Sequence, residues 1–143
     1  MRKRDGDKTP ALPWIHSPVF RSALSALVAL VFYGAWAAWA NRMHDTSTIL
    51  RASATQGLYS AGVTLIMTSM VEGLFRGPAR RFLRLVRAVA VTVLVLVASS
   101  TAVHWLVGTE EILMTVAPSW IFGSLYAFSY ALGLFRAETR SMS

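Results

Sequence analysis

The side chains able to do chemistry in this sequence fall into a few groups, and the largest is a ribbon. Gln56, Ser60, Thr64, Thr68 and Glu72 recur at every fourth position of the stretch Ala52 to Arg76. Read as a helix, that spacing gathers them on one slowly winding side. Amides and hydroxyls in such a row could hydrogen-bond a polar solute. Glu72, the only acid inside an apolar segment, is the group that could carry a proton or hold a cation. Arg80, Arg84 and Arg87 follow at spacings of four and three on one helical face. An arginine row of this kind can clamp phosphate by charge-assisted, bidentate bonds, with Arg21 able to join from an earlier segment. Trp36, Tyr126 and Tyr130 offer rings that could stack on a sugar or an organic cation. His104 could relay protons or bind a metal, but neither His16 nor His44 supplies a partner at ligand spacing.

Each group has a plainer alternative. Glu72 and Arg76 are spaced for a helical ion pair that snorkels to the surface. Serine and threonine in membrane helices bond to their own backbone or join neighbouring helices, and Gly57, Gly62, Ser69 and Gly73 thin the same helix for close packing. The arginine row doubles as a topology signal, and an interfacial histidine is ordinarily just hydrogen-bonded. The sequence contains no HExxH motif, no phosphate-binding loop, no Ser-His-Asp set on adjacent faces and no pair of intramembrane carboxylates. With no cysteine, thiolate metal sites, disulfides and cysteine nucleophiles are excluded. The expectation is a protein that is not an enzyme and uses no metal or cofactor.

The elements that must position these residues are apolar spans. The chain has 143 residues, 55% hydrophobic and only 15% charged, too little polar material to cover a soluble globule. Its mean hydropathy is +0.49. The net charge of +7 is spread in blocks between apolar runs, which fits membrane topology better than nucleic acid. Four spans are expected: Val19 to Ala40, Ala52 to Arg76, about Leu85 to Val107, and about Ile112 to Phe135. The second, at about 36 Å, is long enough for a hydrocarbon core of about 30 Å. Ala38-Trp39-Ala40 mimics a signal-peptidase site, but the apolar run is too long for a cleaved signal and reads as an anchor. Gly77-Pro78 ends the second span. A Thr-Ser-Thr cluster at 46–48 is placed to cap the start of that span, and Thr109 to cap the fourth. Pro118, with Ser119 and Gly123, marks a plausible kink.

With Arg21, Arg84 and Arg87 counted with the side they adjoin, 12 of the 14 lysines and arginines belong to the leader, the middle loop and the tail, leaving only Arg42 and Arg51 in the two outer turns. Both termini are therefore expected in the cytoplasm. A short repeat, Gly73-Leu74-Phe75-Arg76 and Gly133-Leu134-Phe135-Arg136, closes the second and fourth spans. It points to two copies of a helical hairpin related by an axis along the membrane normal.

This layout, with its Arg-Arg-Phe-Leu-Arg entry to the third span (80–84) and the Phe75-Arg76 and Phe135-Arg136 exits, resembles the GtrA-like family of four-span membrane proteins. The resemblance implies movement of polyprenyl-phosphate-linked sugars across the cytoplasmic membrane, as in polysaccharide biosynthesis.

The expectations are thus an all-α polytopic membrane protein with four transmembrane helices as two tandem hairpins. Residues 1–18 form a largely disordered cytoplasmic leader, 19–136 the four-helix domain and 137–143 a cytoplasmic tail. The expected activity is flippase-type transport of a lipid- or polyprenyl-phosphate-linked sugar in the bacterial-type inner membrane, by a homodimer or with a partner membrane protein. Gln56, Ser60, Thr64, Thr68, Glu72, Tyr126 and Tyr130 would line the path, and Arg80, Arg84 and Arg87 would hold the phosphate. The alternatives are proton-coupled efflux of small cations through Glu72, and an accessory subunit whose polar ribbon is an interface.

Overall fold

The structure is a computed structural model that describes residues 17–140. Residues 1–16 of the leader expected over 1–18, and the last three residues, lie outside them. Four helices follow in order: α1 (Pro18–Ala40), α2 (Thr46–Phe75), α3 (Arg81–Val107) and α4 (Ile112–Arg140). All four are long and apolar enough to cross a membrane. The protein is an all-α, multi-pass membrane protein. Large apolar side chains such as Leu27, Leu58, Leu94 and Ile121 stand on its outer surface, where water would disfavour them and acyl chains would not.

The helix boundaries have local causes. Pro18 opens α1 at its first turn, where the missing N–H costs nothing. Asp45, rather than the Thr-Ser-Thr cluster, caps α2: its carboxylate accepts from the Ser47 and Thr48 amides at 2.9 and 3.0 Å. The Ser47 and Thr48 hydroxyls also donate to it, and these bonds hold the Asp45 carboxyl well below the usual carboxylate range. This cap starts α2 at Thr46, six residues before the expected start. Gly108, in the left-handed region at φ 73°, ends α3. Thr109 does not cap α4; its hydroxyl turns back to His104 instead. At the far end, α4 runs on to Arg140, so residues 137–140 are helix and not tail. Glu138 on that extra turn grips Arg84 of α3.

The bundle has two distinguishable ends. The basic end carries the α2–α3 loop and the ends of α1 and α4; the turn end carries the two tight hairpin turns. α2 packs against all three other helices, and α1 does not touch α3 among the described residues. The α1–α2 contact is close because two glycines meet there. A Cβ on Gly57 would lie 2.8 Å from the Leu30 carbonyl oxygen, and one on Gly34 would lie 3.2 Å from that of Ser53.

The two halves of the interior differ in chemistry. Towards the basic end it is apolar, built from Val71, Phe75, Ala88, Ala127 and Ala131. Towards the turn end it is polar, with Asn41, Gln56, Ser100, His104 and Thr115 all wholly buried. Inside a bilayer, buried polar groups are tolerated when they satisfy one another, and these do.

Candidate functional site

Three of the four helices line a cleft of about 740 Å³, with Leu96 of α3 reaching its wall. Along α1 it runs from Pro18 and Arg21 to Tyr33. The 12 helical steps from Arg21 to Tyr33 correspond to roughly 18 Å, more than half the thickness of a bilayer core of about 30 Å. The ring and polar contacts between α1 and α4 lie on the turn side of this region. Phe32 meets Phe122 edge-on at 6.5 Å, and Trp36 donates to the Met114 carbonyl at 2.8 Å. Asn41 donates to Thr115 at 2.9 Å. No such bond ties α1 to α4 nearer the basic end among the described residues, and there the cleft lies between them.

The Trp36 contact is explained by Pro118. Proline has no N–H to return to the carbonyl four residues earlier, so Met114 loses its helical partner. The indole of Trp36 supplies the missing donor and so couples α1 to the weak point of α4.

The cleft's chemistry is one-sided. Ten of its lining residues carry hydroxyls, Arg21 carries a positive charge, and none is acidic among the described residues. Arg21 favours an anion, while the hydroxyls can donate or accept; those of Ser25, Tyr59 and Thr64 already donate to the carbonyls of Arg21, Leu96 and Ser60. Arg21 is exposed at the basic end, and its guanidinium has no partner among the described residues. The free Tyr33 hydroxyl likewise makes no hydrogen bond among them. Within the wall, Ser60 Oγ is buried without a partner, while Thr64 donates to the Ser60 carbonyl at 2.7 Å. Thr68 and Tyr126 bond to each other at the edge of the cleft.

The expected path residues therefore divide. Ser60, Thr64, Thr68 and Tyr126 line the cleft. Gln56 does not; it is wholly buried just beyond the closed end, where its amide donates to Ser119 at 2.6 Å and its carbonyl faces His104 Nε2 at 2.7 Å. Glu72 and Tyr130 also lie off the cleft. Tyr130 donates to Glu72 at 2.6 Å, Arg76 stands 3.7 Å from the same carboxylate, and Tyr130 stacks on Tyr126 with centroids 5.8 Å apart. Glu72 is thus held by partners at the basic end of the α2–α4 contact.

The arginines expected to clamp phosphate serve the fold. Arg84 forms a two-pronged pair with Glu138 at 3.0 and 2.6 Å and lies 5.1 Å over the Phe75 ring. Arg87 donates to the carbonyls of Leu74, at 2.9 and 2.6 Å, and of Arg76. The final carbonyls of a helix have no partner within it, and a neighbouring guanidinium is a natural cap. Arg80 is exposed at the start of α3, away from the cleft lining. None of the three reaches the cleft; among the described residues Arg21 is the arginine that does.

His104 belongs to a buried chain that the sequence did not reveal. The Gln56 carbonyl oxygen can only accept, so His104 Nε2 carries a proton and donates to it. In the neutral ring Nδ1 then accepts from the Thr109 hydroxyl, 2.8 Å away. Beside this chain Trp120 donates to Ser100 at 2.9 Å, and Asn41 bonds to Ala37, Thr115 and the Glu111 amide. Among the described residues no cluster of three or more histidines, aspartates or glutamates is arranged to hold a metal.

Comparison with known proteins adds no name: no family model, no curated protein and no solved structure matches this chain.

Proposed function

We propose that this protein is a small membrane translocator whose cleft admits the head group of an anionic, amphipathic lipid. A lipid- or polyprenyl-phosphate-linked sugar, the class implied by the GtrA-like layout, fits this description. The observation that carries the reading is the cleft's row of hydroxyls, with Arg21 near one end and no acid among the described residues that line it. Phosphate oxygens would take the Arg21 guanidinium, and the hydroxyl row would replace lost water as the head moves inward. The same lining weighs against a cationic substrate. Such a solute needs a carboxylate, and Glu72 stands outside the cleft, bonded to Tyr130. In this reading the arginine-rich basic end faces the cytoplasm of a bacterial-type inner membrane.

The test is transbilayer movement of a fluorescent lipid with a phosphate monoester head, measured in vesicles containing the purified protein. The wild type is expected to speed the movement over protein-free vesicles, and Arg21→Gln to slow it by about tenfold or more, the cost of one charge-assisted bond. Equal rates for wild type and Arg21→Gln, or no acceleration at all, would refute the reading.

A further inference from the structure

The cleft stops at Ser119 and Ser60, but the polar character of the bundle does not. From Ser119 the hydrogen-bonded chain continues through Gln56 and His104 to Thr109, next to the α3–α4 turn. Asn41 and Thr115 are bonded in the same half of the interior and bring in α1. A tight core with only a structural duty would more cheaply be apolar, as the basic half of this bundle is. Here the apolar and polar halves are exchanged in a telling way. At the basic end, where Arg21 stands beside the cleft, the buried cluster is apolar. At the turn end, where the cleft is blocked, the block is made of groups that water can solvate.

We infer that the Thr109–His104–Gln56–Ser119 chain is the closed outer section of the same path, a polar gate that parts to expose the cleft at the turn end. This rests on the translocator reading of the cleft. Parting these groups would exchange protein hydrogen bonds for bonds to entering water, a small net change for each. Parting an apolar plug would instead expose hydrocarbon surface to that water. The flanking backbone is suited to the motion. Pro118 interrupts the α4 hydrogen-bond ladder one residue before Ser119.

The gate is tested by access, which does not depend on knowing the substrate. The chain has no cysteine, so Thr64→Cys in the cleft is a clean reporter for a membrane-impermeant maleimide applied to one face of oriented vesicles. With the native gate, labelling from the basic face is expected to be rapid and labelling from the turn face slow but measurable. Adding Gln56→Ala or His104→Ala should raise the turn-face rate by about tenfold or more and leave the basic-face rate unchanged. Thr109→Val, which removes only the outermost bond and spares the packing, should raise it by a few fold. A basic-face rate equal to the parent's shows that each variant remains folded. Turn-face labelling that is absent throughout, or that no variant accelerates, would overturn the gate. Accelerated labelling combined with no lipid movement in the vesicle assay would leave the gate standing and remove the translocator reading.

Discussion

Replacing Trp36 by phenylalanine should destabilise the bundle through a carbonyl on α4. Pro118 leaves the Met114 carbonyl without an amide partner, and the Trp36 indole fills the vacancy at 2.8 Å. Phenylalanine keeps an aromatic ring but removes the donor, leaving a polar atom with no partner among apolar helices. Met114 is partly exposed, so the cost of about 1–3 kcal/mol for an unsatisfied buried acceptor is an upper bound, and interhelical hydrogen bonds in bilayers average nearer 0.6 kcal/mol. A loss of about 1–2 kcal/mol is therefore expected, including the smaller ring's lost contact. The assay is reversible unfolding in mixed micelles titrated with dodecyl sulfate, carried out as a double-mutant cycle with Pro118→Ala. Alanine restores an N–H at position 118 that can return to Met114, so the indole is no longer needed there. Trp36→Phe should then cost less than half as much in the Pro118→Ala background as in the wild type. An equal cost in both backgrounds would refute the claim that the indole answers the proline.

Other expectations follow from contacts of the same kind. Gly57→Ala should lower stability by about 1–3 kcal/mol, because its Cβ would sit 2.8 Å from the Leu30 carbonyl oxygen and force α1 away. In contrast Gly62→Ala, with nothing within 4 Å, should be neutral or stabilising by up to about 1 kcal/mol in the same unfolding titration. Arg84→Met and Glu138→Gln should each cost about 1–2 kcal/mol, discounted because Glu138 is partly exposed, and their double mutant should show coupling while Arg21-dependent lipid movement persists. Asp45 sets a pH dependence. Its folded pKa is depressed, so the cap's contribution is present above the unfolded carboxylate value of about 3.9 and is lost as pH falls through the lower folded value. Amide exchange at Ser47 and Thr48, corrected for intrinsic rates, should show constant protection from pH 5 to 8, and Asp45→Ala should remove that protection throughout.

The spans were legible because a bilayer permits few ways to place a long apolar run, and the four runs each became a helix. The ribbon was legible in part for a similar reason: a four-residue period puts Ser60, Thr64 and Thr68 on one side whatever lies opposite. What lies opposite was not legible. Gln56 has the same spacing as its neighbours, yet it meets His104, 48 residues later, because of the relative height of α2 and α3. Helical period carries no information about that height. The arginine row failed for the same reason, since the partners of Arg84 and Arg87 are a carboxylate on α4 and carbonyls at the end of α2. Two signals are present in the sequence. A proline inside a span implies an orphaned carbonyl that some donor must meet, and a tryptophan N–H is suited to it. An aspartate directly before Thr46-Ser47-Thr48 is itself the stronger helix cap. Tyr33 and Arg21 were harder to place, since α1 has no polar period; only its buried alanines at 26, 29 and 37 and Gly34 mark the face turned inward.

The account depends on water occupying the cleft beside α2. Deuterium modulation of a spin label in heavy water reports that directly, comparing single labels at Thr64 and Thr68 with one at Leu94 on the outer face of α3. Strong modulation at 64 and 68 with little at 94 is the predicted result. Signals at Thr64 and Thr68 as dry as that at Leu94 would contradict it.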